Sequence, residues 1–350
     1  MAASSATKLA AIAVVALASC RHAAGTRPLS SQPMAQPIGS IDGEPLTTAD
    51  LGGELSARLG TLADDYAVRR FALTWSGAED AVAARLLAAE AARRGMTVEA
   101  LVQEEVTRKV GSPSDDEIQG LYQAHHATID APLAEVADAL REKWHEDHVT
   151  ELRRALVDRL RSGHEICIDL PPPALARHLV GPGPLEPRGR RDAPVTVVVF
   201  GDYNCPFSAQ ARRLMARLTA MYPDQVRYLH RDLPGDLDAH HHPAQAAAYC
   251  ANEQHKFWPM FDLLFERAPL PDNFDPLPAA EQLALDLQQF RDCLASPRPA
   301  MTLLQNQRDA ARLGIEGTPA LFVNGMHFNG PLPVDAMARV VEREITEARP

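Results

Sequence analysis

The stretch VTVVVFGDYNCPFS, residues 195–208, decides the fold when it is considered together with GTPALFVNG, residues 317–325. Residues 195–200 form a near-continuous run of β-branched and aromatic side chains, which is typical of a strand buried on both faces. The run ends at Gly201, and Cys205-Pro206 then opens an amphipathic helix with proline in its first turn. The helix dipole and the free N–H groups at this position favour a thiolate over a thiol, so Cys205 is predicted to be a nucleophile.

These residues resemble the DsbA-like branch of the thioredoxin superfamily, whose site usually has the pattern F-x-D-x-x-C-P-x-C. Here Phe200, Asp202, Cys205 and Pro206 match the pattern, and Ser208 stands in place of the second cysteine. The resemblance covers roughly residues 193–348 and implies an α/β thioredoxin-like fold with a helical insertion at about residues 242–313. It also implies that Cys205, Ser208 and Asp202 form the catalytic group.

Thr318-Pro319 resembles the cis-proline loop of the same family, which lies against the active cysteine and lines the substrate groove. A cis X-Pro bond is rare enough to indicate a structural purpose. The resemblance implies that Thr318 and Pro319 bind substrate together with Pro206 and Phe207. Tyr203, Phe207 and Trp258 are expected to pack around the site or in the core, the core being favoured for Trp258.

The serine at position 208 removes the thiol that would normally resolve a mixed disulfide, because a hydroxyl is far less acidic than a thiol. Cys205 is then a one-thiol site, and Ser208 contributes at most a hydrogen bond to its sulfur. Two roles are possible for Asp202. In the first, its carboxyl tunes the thiolate or relays a proton. In the second, it only accepts hydrogen bonds from the backbone amides of the turn.

Three further cysteines lie outside this site. Cys250 and Cys293 both lie in the predicted insertion, where they form either a structural disulfide that stabilises by roughly 3–4 kcal/mol or two buried reduced thiols. Cys167 is predicted to be a core residue on a short strand at residues 165–170, and a pair between Cys167 and Cys205 is the less favoured alternative.

The N-terminus has the pattern of an export signal. Lys8 precedes an apolar run at residues 9–18, which is too short to span a bilayer. Residues 1–20 end in Leu-Ala-Ser-Cys, which resembles a bacterial lipobox and implies cleavage before Cys20 and acylation of that cysteine. Plain secretion and an uncleaved anchor are the alternatives. Residues 21–36 are predicted to be a flexible tether, and the body of the protein is predicted to be extracytoplasmic and lipid-anchored on the periplasmic side.

Residues 37–173 are predicted to form a mainly α domain. A hairpin at 38–46 turns at Asp42-Gly43, and helices follow at 58–75, 79–94, 98–110, 115–126 and 133–162. The run of DGEPLT, AARRGMTVEAL and SPSDDEI resembles the N-terminal chaperone module of SurA-like proteins. A dimerisation or spacer domain is the alternative. Residues 174–192 are predicted to be an exposed linker before the thioredoxin-like domain at 193–350.

Charge and motifs restrict the function classes. The net charge of −11 argues against binding to nucleic acid or to anionic membranes, so contact with the membrane is expected through the lipid anchor only. His145 and His148 are three positions apart, whereas the zinc-binding motif of zincins needs histidines four positions apart. The three consecutive histidines at residues 240–242 are interpreted as part of an exposed loop and not as a metal site. No metal and no cofactor are predicted.

Two functions from different classes fit these patterns. The first is a monothiol oxidoreductase or isomerase that acts on unfolded or disulfide-containing envelope proteins, with a small thiol or a redox partner completing the cycle. The second is a redox-inactive peptide-binding module that uses the thioredoxin fold. The presence of Cys205, Pro206 and Thr318-Pro319, which match the family's pattern, favours the enzyme, and Ser208 favours the binding module.

Overall fold

The computed structural model describes residues 37–47, 50, 52–125, 129, 131–235, 242–271, 273–330 and 332–348. The predicted signal peptide, Cys20 and the tether at 21–36 lie outside the described residues. The described chain divides into two compact units. The helical unit comprises residues 75–170, and the C-terminal unit comprises residues 37–74 and 171–348. Residues 37–74 therefore group with the C-terminal unit, although the sequence analysis placed them in the first domain.

The helical unit contains the second half of α1 (Gly52–Arg94), α2 (Val98–Glu105), a short 3-10 turn (Thr107–Lys109), α3 (Asp115–His125) and α4 (Leu133–Arg161). Two apolar clusters hold these helices together. They are centred on Leu101 and Trp144. Ser114 and Glu117 form a capping box at the start of α3, since each side chain accepts a hydrogen bond from the backbone N–H of the other residue.

Two predictions for residues 37–173 were wrong. The helices predicted at 58–75 and 79–94 are one continuous helix, α1, which tolerates Gly77 in its interior at a cost of about 1 kcal/mol. The strand predicted at 165–170 is absent, since these residues do not adopt a strand in the structure. Cys167 is consequently exposed and not a core residue, and it carries no free thiol.

The predicted hairpin is confirmed as β1 (Pro37–Ile41) and β2 (Glu44–Thr47), which pair antiparallel. Asp42 and Gly43 both have positive φ, 54° and 86°, as a two-residue type I′ turn requires.

The thioredoxin-like part of the C-terminal unit is built on a four-stranded sheet with the order β4-β3-β5-β6. The elements follow one another as β3 (Val195–Gly201), α5 (Pro206–Met221), β4 (Val226–Asp232), the helical insertion, β5 (Ala320–Val323), β6 (Met326–Asn329) and α11 (Val334–Glu347). β3 and β4 are parallel, and β5 is antiparallel to both β3 and β6. β3 is almost completely buried, as its apolar run predicts.

The helical insertion consists of α6 (Pro243–Asn252), α7 (Phe257–Arg267), α8 (Leu277–Gln282), α9 (Leu287–Leu294) and α10 (Arg298–Arg312). The disulfide between Cys250 and Cys293 joins α6 to α9, with a Cα–Cα distance of 5.7 Å, which confirms the first of the two alternatives. The buried Arg231 ties α10 to β4, because its guanidinium donates to Asn306 and forms an ion pair with Asp309 at 2.7 Å.

The segment predicted as an exposed linker, residues 174–192, packs along the sheet. Arg177 forms a β-bridge with Met326 at one edge, and Arg188 forms one with Tyr228 at the other edge. Arg177 also makes two hydrogen bonds to the carboxylate of Glu344, at 2.7 and 2.9 Å. Through these contacts the segment pairs with both edge strands, β6 and β4, and so covers part of each edge of the sheet.

The disulfide predicts a measurable contribution to stability. The double substitution Cys250→Ala/Cys293→Ala opens a loop that spans 43 positions of sequence. We expect the free energy of unfolding of the C-terminal unit to fall by roughly 3–4 kcal/mol in denaturant titrations, because the unfolded chain regains loop entropy. Cys205→Ala, which leaves the disulfide in place, is the matched control and should change it far less. An equal loss in the two variants would contradict the assignment.

Candidate active site

Cys205 is the N-cap residue of α5, with φ −85° and ψ 118°, and Pro206 follows as the first helical residue. Its sulfur is partly exposed, and it is the free thiol among the described cysteines, so the alternative pair with Cys167 is absent. The backbone N–H of Cys205 donates to the carbonyl of Asp202 at 3.2 Å, which closes the turn between β3 and α5. The thiol thus lies at the end of the helix that carries the partial positive charge.

The loop before β5 supplies the other wall of the site. The peptide bond between Thr318 and Pro319 is cis, as predicted. The register of β3 and β5 pairs Phe200 with Ala320, which brings the residues after β3 alongside the residues before β5. As a result the Cys205 thiol lies 3.3 Å from the carbonyl oxygen of Thr318 and donates a hydrogen bond to it.

Ser208 is directed into the protein and not toward the sulfur. The residue is 3% exposed, and its hydroxyl oxygen accepts a hydrogen bond from the backbone N–H of Asp202 at 3.1 Å. It therefore braces the turn that presents Cys205. The hydrogen bond from Ser208 to the Cys205 sulfur that the sequence analysis allowed is absent from the described contacts.

Asp202 is partly buried and accepts hydrogen bonds from the backbone N–H of Asn204 and from the side-chain amide of Gln245, both at 3.3 Å. Burial raises the pKa of the Asp202 carboxyl, and the nearby charge of Asp232 raises it further, while hydrogen bonds from Asn204 and Gly235 lower it. Accepting a hydrogen bond from a turn amide was one of the two roles predicted for Asp202, and the bond from the Asn204 N–H is of this kind. A raised pKa is also what the other role, relaying a proton, requires.

Pro206 and Phe207 are exposed at the start of α5. Phe207 is 58% exposed, so this large apolar side chain is in contact with solvent directly beside Cys205. Phe207 is therefore not a core residue, and its position suits contact with a bound chain. Tyr203, in contrast, is fully buried, and Trp258 is partly buried with the guanidinium of Arg188 at 4.3 Å from its ring.

Sequence reasoning missed the role of Asn204, which directly precedes Cys205. Its side-chain amide accepts a hydrogen bond from the backbone N–H of Leu270 at 2.8 Å and donates one to the carbonyl of the same residue at 3.1 Å. Asn204 thus pins the loop after α7 beside Cys205. This contact could not be predicted from the residues around Asn204, because its partner, Leu270, lies 66 positions away in the sequence.

Sequence reasoning also missed a buried polar pair beneath the turn. His230 and Asp232 point from β4 to the same side of the sheet, with His230 Nε2 at 3.1 Å from Asp232 Oδ1. The ring of His230 leaves no room for a side chain on Gly201, since a Cβ there would lie 2.9 Å from His230 Cε1. The available signal in the sequence was the run of three polar residues, His230, Arg231 and Asp232, at the end of β4.

The histidines do not form a metal centre in the part of the chain that the structure describes, where no group of three or more metal-ligating side chains converges. His148 is committed to its own helix, because its ring stacks on Trp144 at 3.6 Å and its Nδ1 lies 2.8 Å from the Trp144 carbonyl oxygen. His242 is the N-cap of α6, and His240 and His241 lie outside the described residues.

The environment of Asp202 predicts a pH-dependent effect on stability. Its folded-state pKa lies above the unfolded value of 3.8, so folding favours the protonated form, and the ionised carboxyl destabilises the fold at neutral pH. We expect Asp202→Asn to raise the melting temperature at pH 7, and we expect this gain to shrink as the pH falls through the raised pKa and the wild-type carboxyl becomes protonated.

Asp192→Asn is a suitable control for that measurement. Arg190 lowers the pKa of the exposed Asp192 carboxyl through a side-chain hydrogen bond, so the shift has the opposite sign. Neutralising this residue should not raise the melting temperature. A melting temperature of Asp202→Asn below that of the wild type at pH 7 would contradict the prediction. It would show that the hydrogen bonds to the ionised carboxylate stabilise the fold by more than its burial destabilises it.

Comparison with known families supports the assignment of the C-terminal half. A family model described as Thioredoxin matches residues 186–343. Among curated proteins, the Na(+)/H(+) antiporter NhaA 3 of Salinispora tropica is 39% identical over 163 residues, which are 46% of this chain and 25% of that protein. NhaA 1 of Salinispora arenicola is 36% identical over 186 residues, 49% of this chain and 28% of that protein. The chain thus spans about a quarter of the length of these relatives.

Three solved structures, each from a different bacterium, match part of this chain. The thiol-disulfide exchange protein alpha-DsbA2 of Wolbachia pipientis is 18% identical, with a TM-score of 0.41, over 45% of this chain and 86% of that chain. The catalytic domain of Proteus mirabilis ScsC is 23% identical, with a TM-score of 0.41, over 46% and 89%. BdbD of Bacillus subtilis is 20% identical, with a TM-score of 0.38, over 46% and 93%.

The sheet order, the thiol at the N-terminus of α5, the cis-proline loop and the matched family model agree with one another. The resemblance of residues 37–173 to SurA-like modules is supported by none of these findings, beyond the mainly helical content of residues 75–170. The C-terminal half of this chain is a thioredoxin-like domain whose helical insertion lies between β4 and β5.

Proposed function

We propose that this protein carries out thiol–disulfide exchange with a single thiol, that of Cys205. The observation that carries the proposal is the position of this thiol, which is free and partly exposed at the N-terminus of a 16-residue helix. It lies 3.3 Å from the carbonyl that precedes the cis-proline. Folding alone does not require an exposed thiol at such a place.

The first step is attack by the Cys205 thiolate on one sulfur of a client disulfide. The client S–S bond breaks as the bond to Cys205 forms, and the other client sulfur leaves as a thiolate that takes up a proton. The cis-proline loop would hold the client backbone, since its Thr318 carbonyl faces the sulfur. The exposed ring of Phe207 offers an apolar contact for client side chains next to the disulfide.

The second step needs a thiol from outside the domain, because Ser208 has none and its hydroxyl is bonded to the turn. A second thiol of the same client can attack the mixed disulfide, which regenerates Cys205 with a rearranged client disulfide and no net oxidation. A small thiol can instead attack the Cys205 sulfur, which releases the client as a thiol and leaves the small thiol joined to Cys205. A second small thiol, or a redox partner, then attacks the sulfur of that bound small thiol, so that Cys205 is released as a new external disulfide forms and the client is left reduced. Isomerisation of client disulfides is therefore the reaction that one thiol suits best.

The cellular setting is part of the same proposal. Exchange of this kind belongs in an oxidising compartment, which agrees with the buried disulfide between Cys250 and Cys293. The pattern at residues 1–20 supports export and acylation at Cys20, with clients among the envelope proteins. Among the described residues, no helix combines the length and hydropathy that crossing a bilayer requires. A chaperone-like role for the helical unit, which would hold unfolded clients, is proposed from sequence resemblance alone.

A second candidate is a redox-inactive clamp for extended polypeptide. The observation that favours it is Ser208, which is buried and serves the turn, so nothing in the described site resolves a mixed disulfide. In that function Phe207 and the cis-proline loop bind clients, and the thiol of Cys205 plays no part.

Trapping of mixed disulfides distinguishes the two candidates. We expect the wild-type chain, mixed with a test protein that contains non-native disulfides and then quenched with acid, to accumulate an adduct at Cys205 that mass spectrometry identifies. Ser208→Cys should lower this adduct several-fold, because the new thiol, three positions along the same helix, can displace the client. Cys205→Ser is the control and should form no adduct at this position.

Two outcomes would contradict the proposal. Equal amounts of adduct in the wild type and in Ser208→Cys would show that the missing second thiol does not limit the site. A wild-type chain that binds the test protein but forms no adduct would refute thiol exchange and leave the clamp as the function.

A further inference from the structure

The first half of α1 carries apolar residues on two opposite faces. One face is buried and includes Val68 and Phe71, each 5% exposed. The opposite face carries a row of exposed large apolar side chains, here called the α1 stripe: Leu55, Leu59, Leu62, Tyr66 and Leu73. The last three are 64%, 66% and 75% exposed. Contiguous exposed apolar rows of this kind mark interaction surfaces in soluble proteins.

The spacing within the α1 stripe is that of a coiled coil. The steps between its members are four, three, four and seven residues, which correspond to alternating a and d positions of the heptad repeat. Such positions lie along one line of the helix, and they pack best against a second helix with the same spacing. An extended client chain has no such periodicity, so the pattern does not select for it.

We propose that the α1 stripe pairs with the α1 stripe of a second copy of this chain. A second copy supplies the matching heptad spacing by identity, and a two-fold symmetric contact buries both stripes at once in a closed dimer. This proposal does not depend on the chemistry at Cys205.

Arg69 occupies the heptad position between Tyr66 and Leu73 that the α1 stripe skips, and its charge determines the orientation of the pair. Parallel helices would place the Arg69 side chains of the two copies face to face at a core position, where like charges repel. Antiparallel helices avoid this contact, and their layers are Leu55 with Leu73, Leu59 with Arg69, and Leu62 with Tyr66. In that arrangement the aliphatic stem of Arg69 packs on Leu59 of the second copy while its guanidinium reaches solvent. The geometry points to an antiparallel pair.

The α1 stripe adjoins the candidate active site within the C-terminal unit. Leu62 and Asp65 line a cavity together with Ile315 and Gly317, and Gly317 directly precedes the cis-proline loop. Pairing through the stripe would therefore place two cis-proline loops, and two single thiols, in one assembly. A client with several misplaced disulfides could then meet two thiols without dissociating, which raises the effective concentration of the second thiol.

Sedimentation of the full chain tests the pairing. We expect the wild type to have twice its monomer mass of 38.1 kDa in the micromolar range. Leu62→Glu and Tyr66→Lys should each weaken the dimer roughly a hundredfold or more, because each buries an unpaired charge in the interface. Leu179→Glu is the matched control, since Leu179 is 88% exposed and lies outside the stripe. It should stay dimeric, and circular dichroism should show all variants folded.

The double variant Leu62→Glu/Tyr66→Lys tests the orientation. In the antiparallel pair each new carboxylate faces a new ammonium of the other copy, so the dimer should recover by at least tenfold relative to either single variant. In a parallel pair like charges would meet, and the double variant would stay monomeric, which would overturn the antiparallel arrangement. A wild type of 38.1 kDa, or single variants that remain dimeric, would overturn the pairing itself.

Discussion

The antiparallel pairing of β3 with β5 is the constraint on which the site depends. Because Phe200 is paired with Ala320, the turn that begins at Gly201 and the loop that ends at Pro319 must lie side by side. The turn leads to the thiol of Cys205 and the loop contains the carbonyl of Thr318. The strand pairing brings the Cys205 sulfur to 3.3 Å from the Thr318 carbonyl oxygen. A shift of register by one residue would turn each β5 side chain to the other face of the sheet and separate the two halves.

Buried polar contacts keep this pairing fixed. The side chains of Ser208 and Asn204 bond to the backbone of the turn and of the loop after α7, so these two residues fix the position of Cys205 between them. On the other face of the sheet, the buried Arg231 pairs with Asp309 and lowers the pKa of its carboxyl through a hydrogen bond. Removing one partner of such a pair is costly, because a buried charge is left uncompensated. The sheet, the insertion and the active-site turn therefore form one cooperative structure.

Local patterns predicted the parts of this structure that local chemistry determines. The apolar run at residues 195–200, proline after Cys205 and Thr318-Pro319 each specify a conformation within a few residues, and all three are confirmed. The disulfide was one of two open alternatives, since spacing in the sequence cannot show that Cα atoms approach to 5.7 Å.

The predictions that failed depended on partners far along the chain. An alternating pattern at residues 165–170 resembles a strand, but a strand needs a neighbour to pair with. Gly77 resembles a break, yet the flanking residues keep the helix continuous. The roles of Asn204 and His230 depend on neighbours that only the folded chain brings together. The packing of residues 174–192 on the sheet edges could not be predicted either, because their proline and glycine content is also typical of a free linker.

Single-thiol exchange at Cys205 is tested most directly by the rate at which the protein rearranges the disulfides of a scrambled test protein in a weakly reducing buffer. We expect the wild type to accelerate recovery of the native disulfides and Cys205→Ser to leave the rate unchanged. The fully reduced test protein should not be the main product. Equal rates for the wild type and Cys205→Ser would contradict single-thiol exchange, because the Cys205 thiol would then have no part in the reaction.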